Sequence, residues 1–169
     1  ANASSRQGSL PIKTKKTKVR ERFFNYFVIE QNHQILMRER TGKDVWAGMF
    51  DFYLIETPHA ENWETLVEDT WLKPIVATGI IQSESGLYTH ILTHQRIQTK
   101  FWHISLNPEV PLLLPPDLQF YSLEEVHQLP KSTLVNKRAL FASFLISFCI
   151  NNLPCKSSTL STAILFLGV

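Results

Sequence analysis

The stretch Gly86–Ser105, reading G-L-Y-T-H-I-L-T-H-Q-R-I-Q-T-K-F-W-H-I-S, constrains the fold of this chain more than any other. It holds two runs rich in β-branched and aromatic residues, Leu87–Leu92 and Ile97–Ser105, joined by the polar residues Thr93-His94-Gln95-Arg96. The second run alternates: Ile97, Thr99, Phe101 and His103 lie on one side, Gln98, Lys100, Trp102 and Ile104 on the other, which is the period of a strand. The pair reads as a β-hairpin whose tip carries a hydroxyl, an imidazole, an amide and a guanidinium. A rigid hairpin presenting hydrogen-bonding groups suits recognition. The same four residues also make an ordinary polar turn, and loop chemistry alone leaves both readings open.

The elements around the hairpin define the class. Phe23–Glu30 is apolar on both faces, which marks a central strand. Asn32-His33 turns the chain into a second strand, Ile35–Glu39, and after a loop over Thr41–Gly48 a third follows at Phe50–Ile55. Asn62–Leu72 has helical spacing, with Trp63, Leu66, Val67, Thr70 and Trp71 on one face, and Pro74 is expected to end it. Ile75–Gln82 and the hairpin then make three consecutive antiparallel strands. Asn107–Pro116 holds four of the nine prolines and is a surface connection. Phe120-Tyr121 is a short strand, and Ser122-Leu-Glu-Glu125 is a capping-box pattern opening a helix that stops before Pro130. A last helix is expected over Thr133–Ile150, with Leu140, Phe141, Phe144, Leu145 and Phe148 as its apolar stripe. This order predicts an α+β fold: a mixed, mostly antiparallel sheet with helices packed on it.

At 169 residues, 44% hydrophobic and 11% aromatic, the chain carries one sizeable core. Its net charge of +2 hides an asymmetry. Residues 1–22 hold seven Lys/Arg against Glu21 alone, while the rest holds ten basic and fourteen acidic residues. Residues 1–18 therefore read as a basic, disordered segment, either a solvated linker or a strap in which Lys13, Lys15, Lys16 and Lys18 contact phosphates. Residues 19–150 form the domain and 151–169 a tail that is Ser/Thr-rich and then apolar. Two cysteines, Cys149 and Cys155, cannot build a metal site alone and fit a reducing cytoplasm. No apolar run reaches the ~18–20 residues a spanning helix needs. A monomer with no membrane association is expected.

The element order resembles the Nudix fold. That family's signature runs Gly, five residues, Glu, seven residues, then Arg-Glu-apolar-any-Glu-Glu-any-Gly-apolar. Laid on this chain with Phe50 in the first Gly place, Glu56, Leu66, Glu68, Asp69 and Leu72 agree, whereas Phe50, Glu64, Thr65 and Trp71 depart. Nudix hydrolases cluster carboxylates around Mg²⁺ against a diphosphate. Here Thr65 replaces a ligand and Glu64 the arginine, so the resemblance is to a Nudix scaffold without its catalysis. Glu64, Glu68 and Asp69 also read as a solvated helix face. An active Nudix pyrophosphatase using Glu56, Glu68 and Asp69 is one rival reading; a protein-interaction module using the hairpin and aromatic surface is another.

A second resemblance covers about Leu10 to Phe148. The segments L-P-I-K-T-K-K-T-K-V-R-E-R-F-F-N-Y, R-E-R-T-G-K-D-V-W-A-G-M-F-D-F, H-I-L-T-H-Q-R-I and L-P-K resemble, in order and spacing, the C-terminal domain of A/G-specific adenine DNA glycosylases, the MutY family. The resemblance implies a domain that recognises 8-oxoguanine opposite adenine in duplex DNA during base excision repair. A separate N-terminal helical domain, with an iron–sulfur cluster, excises the adenine. It implies no catalytic or metal-binding residue and no cofactor in this segment. The family's lesion-sensing Phe-Ser-His, preceded by a His, corresponds to Leu92, Thr93 and His94 after His90. 8-Oxoguanine offers an N7–H donor where guanine offers an acceptor, so the Thr93 hydroxyl can accept from it. Leu92 can wedge against a base but not stack as a ring, and His94 and Arg96 can reach phosphates.

Overall fold

The computed structural model describes residues 19–139; the basic segment 1–18, the stripe from Leu140 to Phe148 and the tail 151–169 lie outside them. β1 (Arg20–Gln31) is central, as its two-sided apolar run requires. It pairs in parallel with β7 (Gln95–Leu106) over its whole length, from Arg20 opposite Gln95 to Glu30 opposite Ser105. Along its other edge β1 pairs antiparallel with β2 (Gln34–Glu39) and with β4 (Tyr53–Thr57). β2 in turn carries β3 (Phe50–Asp51) and β8 (Leu118–Ser122). The sheet is mixed and mostly antiparallel, within an α+β fold. The β1–β2 turn is the expected Asn32-His33, both residues left-handed with φ of 52° and 61°, the geometry that matches strand twist in a two-residue turn.

Alternation along β1 divides the core into two layers. Phe24, Tyr26 and Val28 join Ile35, Met37, Phe52 and Phe101 on one face, where Tyr26 stacks on Phe101 at 5.2 Å. Phe27 and Ile29 join Leu36, Trp102 and Ile104 on the other, under Leu66, Leu72 and Ile75, while Val126, Val135 and Ala139 cover the first face.

Two sequence expectations are corrected. The helix expected over Asn62–Leu72 is two short ones, α1 (Trp63–Leu66) and α2 (Leu72–Thr78). The Asn62 side chain accepts from the Thr65 N–H at 2.9 Å and opens α1. Asp69 Oδ1 accepts from the N–H groups of Trp71 and Leu72 at 3.1 and 2.9 Å and opens α2. Pro74 then sits in the first turn of α2, where its missing N–H costs nothing; it belongs to a helix start and not a stop. The strand expected from Ile75 begins instead with β5 (Gly79–Glu84).

The three consecutive antiparallel strands are also corrected. β5 and β6 (Tyr88–Ile91) lie end to end along the same edge of β7. Ser85 bridges the gap: its N–H donates to the Phe101 carbonyl and its Oγ accepts from the Phe101 N–H, both at 2.9 Å. The capping box is present at α3 (Leu123–Gln128), with Ser122 Oγ and Glu125 exchanging hydrogen bonds. Of the final helix, residues 133–139 are described, with Ser132 Oγ accepting from the Val135 N–H at 3.3 Å.

Candidate nucleic-acid interface

The β6–β7 turn is tighter than its four polar residues suggested. The Leu92 N–H donates to the Gln95 carbonyl at 2.8 Å and the Gln95 N–H returns to Leu92 at 3.3 Å, leaving only Thr93 and His94 as loop residues. Gln95 and Arg96 belong to β7. Thr93 and His94 are both exposed. The His94 carbonyl accepts from the Arg20 N–H at 3.0 Å, tying the tip to the start of β1. Leu92 is half-buried and packs on the cluster around Phe24 and Phe101, so its side chain anchors the tip. His90 lies 6.3 Å from the Trp46 ring. Arg96 is half exposed and 3.7 Å from Glu21. Lys13, Lys15, Lys16 and Lys18 lie outside the described residues.

Beneath the tip is a network that the sequence reading missed. Arg22 is buried near the start of the central strand β1 and spends its guanidinium on three partners. Nε and Nη2 donate to the two Glu56 oxygens at 2.7 Å each, Nη2 and Nη1 to Asp44 at 3.1 and 3.3 Å, and Nη1 to Gln95 Oε1 at 3.0 Å. Asp44 also accepts from Arg40 at 2.7 Å and from the Val45 N–H at 2.7 Å. Arg40 continues to the buried Asp51 at 2.5 Å. The hydrogen bond from Arg22 holds the Glu56 carboxyl below the ordinary glutamate range against its partial burial. Burial alone would push Asp44 up, but Arg22, the Val45 N–H and Arg40 together bring it below its ordinary value. At Asp51 burial wins and the carboxyl stays raised despite Arg40 and Arg38. Parity along β1 was the available signal: Arg22 shares the inward face with Phe24 and Tyr26, and an inward guanidinium requires carboxylate partners.

The carboxylates aligned with the Nudix signature have other engagements. Glu56 faces Arg22, Glu68 pairs with Lys73 at 2.8 Å, and Asp69 caps α2 while accepting from the Tyr53 hydroxyl at 2.9 Å. Glu64 and Thr65 lie exposed on α1. Among the described residues no group of three His, Cys, Asp or Glu side chains comes together as a metal site. Cys149 and Cys155 lie outside them. No helix among the described residues is long and apolar enough to cross a membrane.

The sheet, the helices packed on both of its faces and the remnant signature define a Nudix-type domain, and residues 25–139 match the NUDIX domain family: the chain belongs to it. Its fold is also that of the C-terminal domain of mouse MUTYH, solved in complex with human PCNA, at 18% identity and a TM-score of 0.54 over 81% of this chain and 94% of that one. The Nudix hydrolase MutT of methicillin-resistant Staphylococcus aureus 252 is similar at 14% identity and a TM-score of 0.58, over 75% and 98% of the two chains. The E. coli ORF135 protein is similar at 18% identity and a TM-score of 0.52, over 80% and 96%. No curated protein matches the chain.

Proposed function

We infer that this domain binds duplex DNA and recognises 8-oxoguanine opposite adenine, as the lesion-reading part of an adenine DNA glycosylase whose excision chemistry resides in a separate helical domain. The observation that carries this reading is the two-residue tip. Thr93 and His94 are exposed on a turn held by two backbone hydrogen bonds, by the Arg20–His94 bond and by the half-buried anchor Leu92. A fixed hydroxyl can accept from the N7–H of the lesion, while ordinary guanine offers no donor there. Pre-organisation matters because a mobile tip would lose ordering entropy on binding. The engagement of Glu56, Glu68 and Asp69 elsewhere supports a non-hydrolytic role.

Binding of the 169-residue chain to duplexes containing 8-oxoguanine·A and G·A, measured by fluorescence anisotropy, tests the reading. Tighter binding to the lesion duplex is expected; equal affinities, or no binding to either, overturn it.

A protein-docking role has two observations in its favour. Five large apolar side chains, Ile80, Ile81, Leu87, Tyr88 and Ile91, are exposed along the β5–β6 edge, and the mouse MUTYH domain was solved with a protein partner. Duplex binding that weakens with salt favours the DNA reading over this one.

A further inference from the structure

A depression of about 650 Å³ opens beside the tip, between the start of β1, the base of the β6–β7 turn and the loop at Gly42–Val45. Arg22, Asp44 and Gln95 form its inner wall, already locked to one another, while Arg20 and Lys43 border it from exposed positions. The local charges are Arg20, Arg22, Arg38, Arg40 and Lys43 against Asp44, Asp51, Glu56 and Asp117, an excess of one positive charge. Asp117 pairs with Arg38, and each of the other acids is already committed to two guanidiniums: Asp44 to Arg22 and Arg40, Glu56 to Arg22 and, at 3.8 Å, Arg20, and Asp51 to Arg40 and, at 3.6 Å, Arg38. Lys43 makes no ion pair among the described residues, and Arg20, 71% exposed, has only that long contact. The excess charge therefore lies at the mouth of the depression, where an anion can meet it without displacing a buried pair.

We propose that this depression is a phosphate site, in which Arg20 and Lys43 grip one phosphodiester of the lesion-bearing strand next to the nucleotide read by Thr93. The proposal rests on the DNA reading above and adds its register. Arg20 belongs to both sites, because its N–H holds the His94 carbonyl at 3.0 Å while its side chain faces the depression. A backbone contact placed this way fixes where the strand lies and carries no sequence information. A phosphodiester suits this mouth because its two free oxygens can each meet one cation, Arg20 from β1 and Lys43 from the loop.

The test uses the full chain and a double variant, Arg20→Gln with Lys43→Gln. Both side chains are exposed, so the unfolding midpoint should hold. Affinity should fall roughly tenfold, equally on 8-oxoguanine·A and G·A duplexes, and the slope of log K against log salt should flatten by about 0.9, one phosphate contact. Thr93→Val should leave that slope unchanged. An unchanged slope in the double variant overturns the phosphate site even if lesion preference survives. A flattened slope without lesion preference leaves the site standing and removes the lesion reading. Inorganic phosphate alone, followed by the amide shifts of Gly42 and Lys43, separates the possible sources. Weak binding displaced by duplex supports the proposal; binding that duplex does not displace assigns the depression to free phosphate and overturns it.

Discussion

Arg22 is the residue on which the site geometry turns, because one guanidinium joins β4, the loop at Asp44 and the base of the β6–β7 turn. Its side chain is 8% exposed and that of Glu56 34%, so the pair lies between a buried and a surface ion pair. Arg22→Met should cost about 2–3 kcal/mol, less than the full loss from a buried pair because Glu56 retains some water. A urea midpoint lowered at constant slope checks this. The carboxylates add a pH dependence whose sign is fixed. Glu56 and Asp44 titrate lower when folded than their ordinary values of 4.5 and 3.8. Their stabilisation is whole above those values and is lost as pH falls through the lower, folded ones. Asp51, raised by burial, acts in the opposite sense. Glu56→Gln should therefore lose stability at pH 7 and show a shallower loss than the parent chain between pH 5 and 2. Parallel acid-unfolding curves for the two proteins would contradict this assignment.

At the scale of elements, the junction of α2 and β5 is tight at Gly79. A Cβ on Gly79 would lie 2.6 Å from Ile104 Cγ2 and 2.9 Å from the Ile75 carbonyl oxygen. Gly79→Ala should destabilise by about 1–3 kcal/mol through overpacking, read as a drop in melting temperature; an unchanged one would mean the helix end shifts freely. This same region shows where sequence reasoning stops. β1, β2, the Asn32-His33 turn and the Ser122 capping box were legible because each rests on a local pattern: two-sided hydrophobicity, turn residues, a side chain three residues from its partner. Pro74 was misread because a proline three residues into a helix and one just past its end look alike until Asp69 is seen capping the N–H groups of Trp71 and Leu72. Likewise β5 and β6 have strand character, but nothing local states that both share one edge of β7. The residues of the turn were legible; Arg22, Asp44 and Gln95 were not joined, because they are 22 and 73 positions apart in sequence.

For the whole molecule, the two-layered core and central β1–β7 pair make a rigid platform from which one short turn projects. What separates a reader of DNA from a nucleotide hydrolase on this scaffold is how the carboxylates are used. With Glu56 held by Arg22, Glu68 by Lys73 and Asp69 capping α2, the chain should release no pyrophosphate from 8-oxo-dGTP in the presence of Mg²⁺. Turnover that Glu68→Ala abolishes would restore the hydrolase reading.

The Thr93 hydroxyl offers the most direct measurement. Thr93→Val keeps the branched shape and removes only the oxygen, and Thr93 is exposed on a turn closed by backbone bonds, so the fold should be little changed. One net hydrogen bond of about 0.5–1.5 kcal/mol corresponds to roughly a 2- to 13-fold loss of affinity. That loss is expected on the 8-oxoguanine·A duplex and not on G·A, whereas His94→Ala should weaken both if its ring meets phosphate. Equal losses on the two duplexes for Thr93→Val, or none on either, would mean that the turn does not read the lesion.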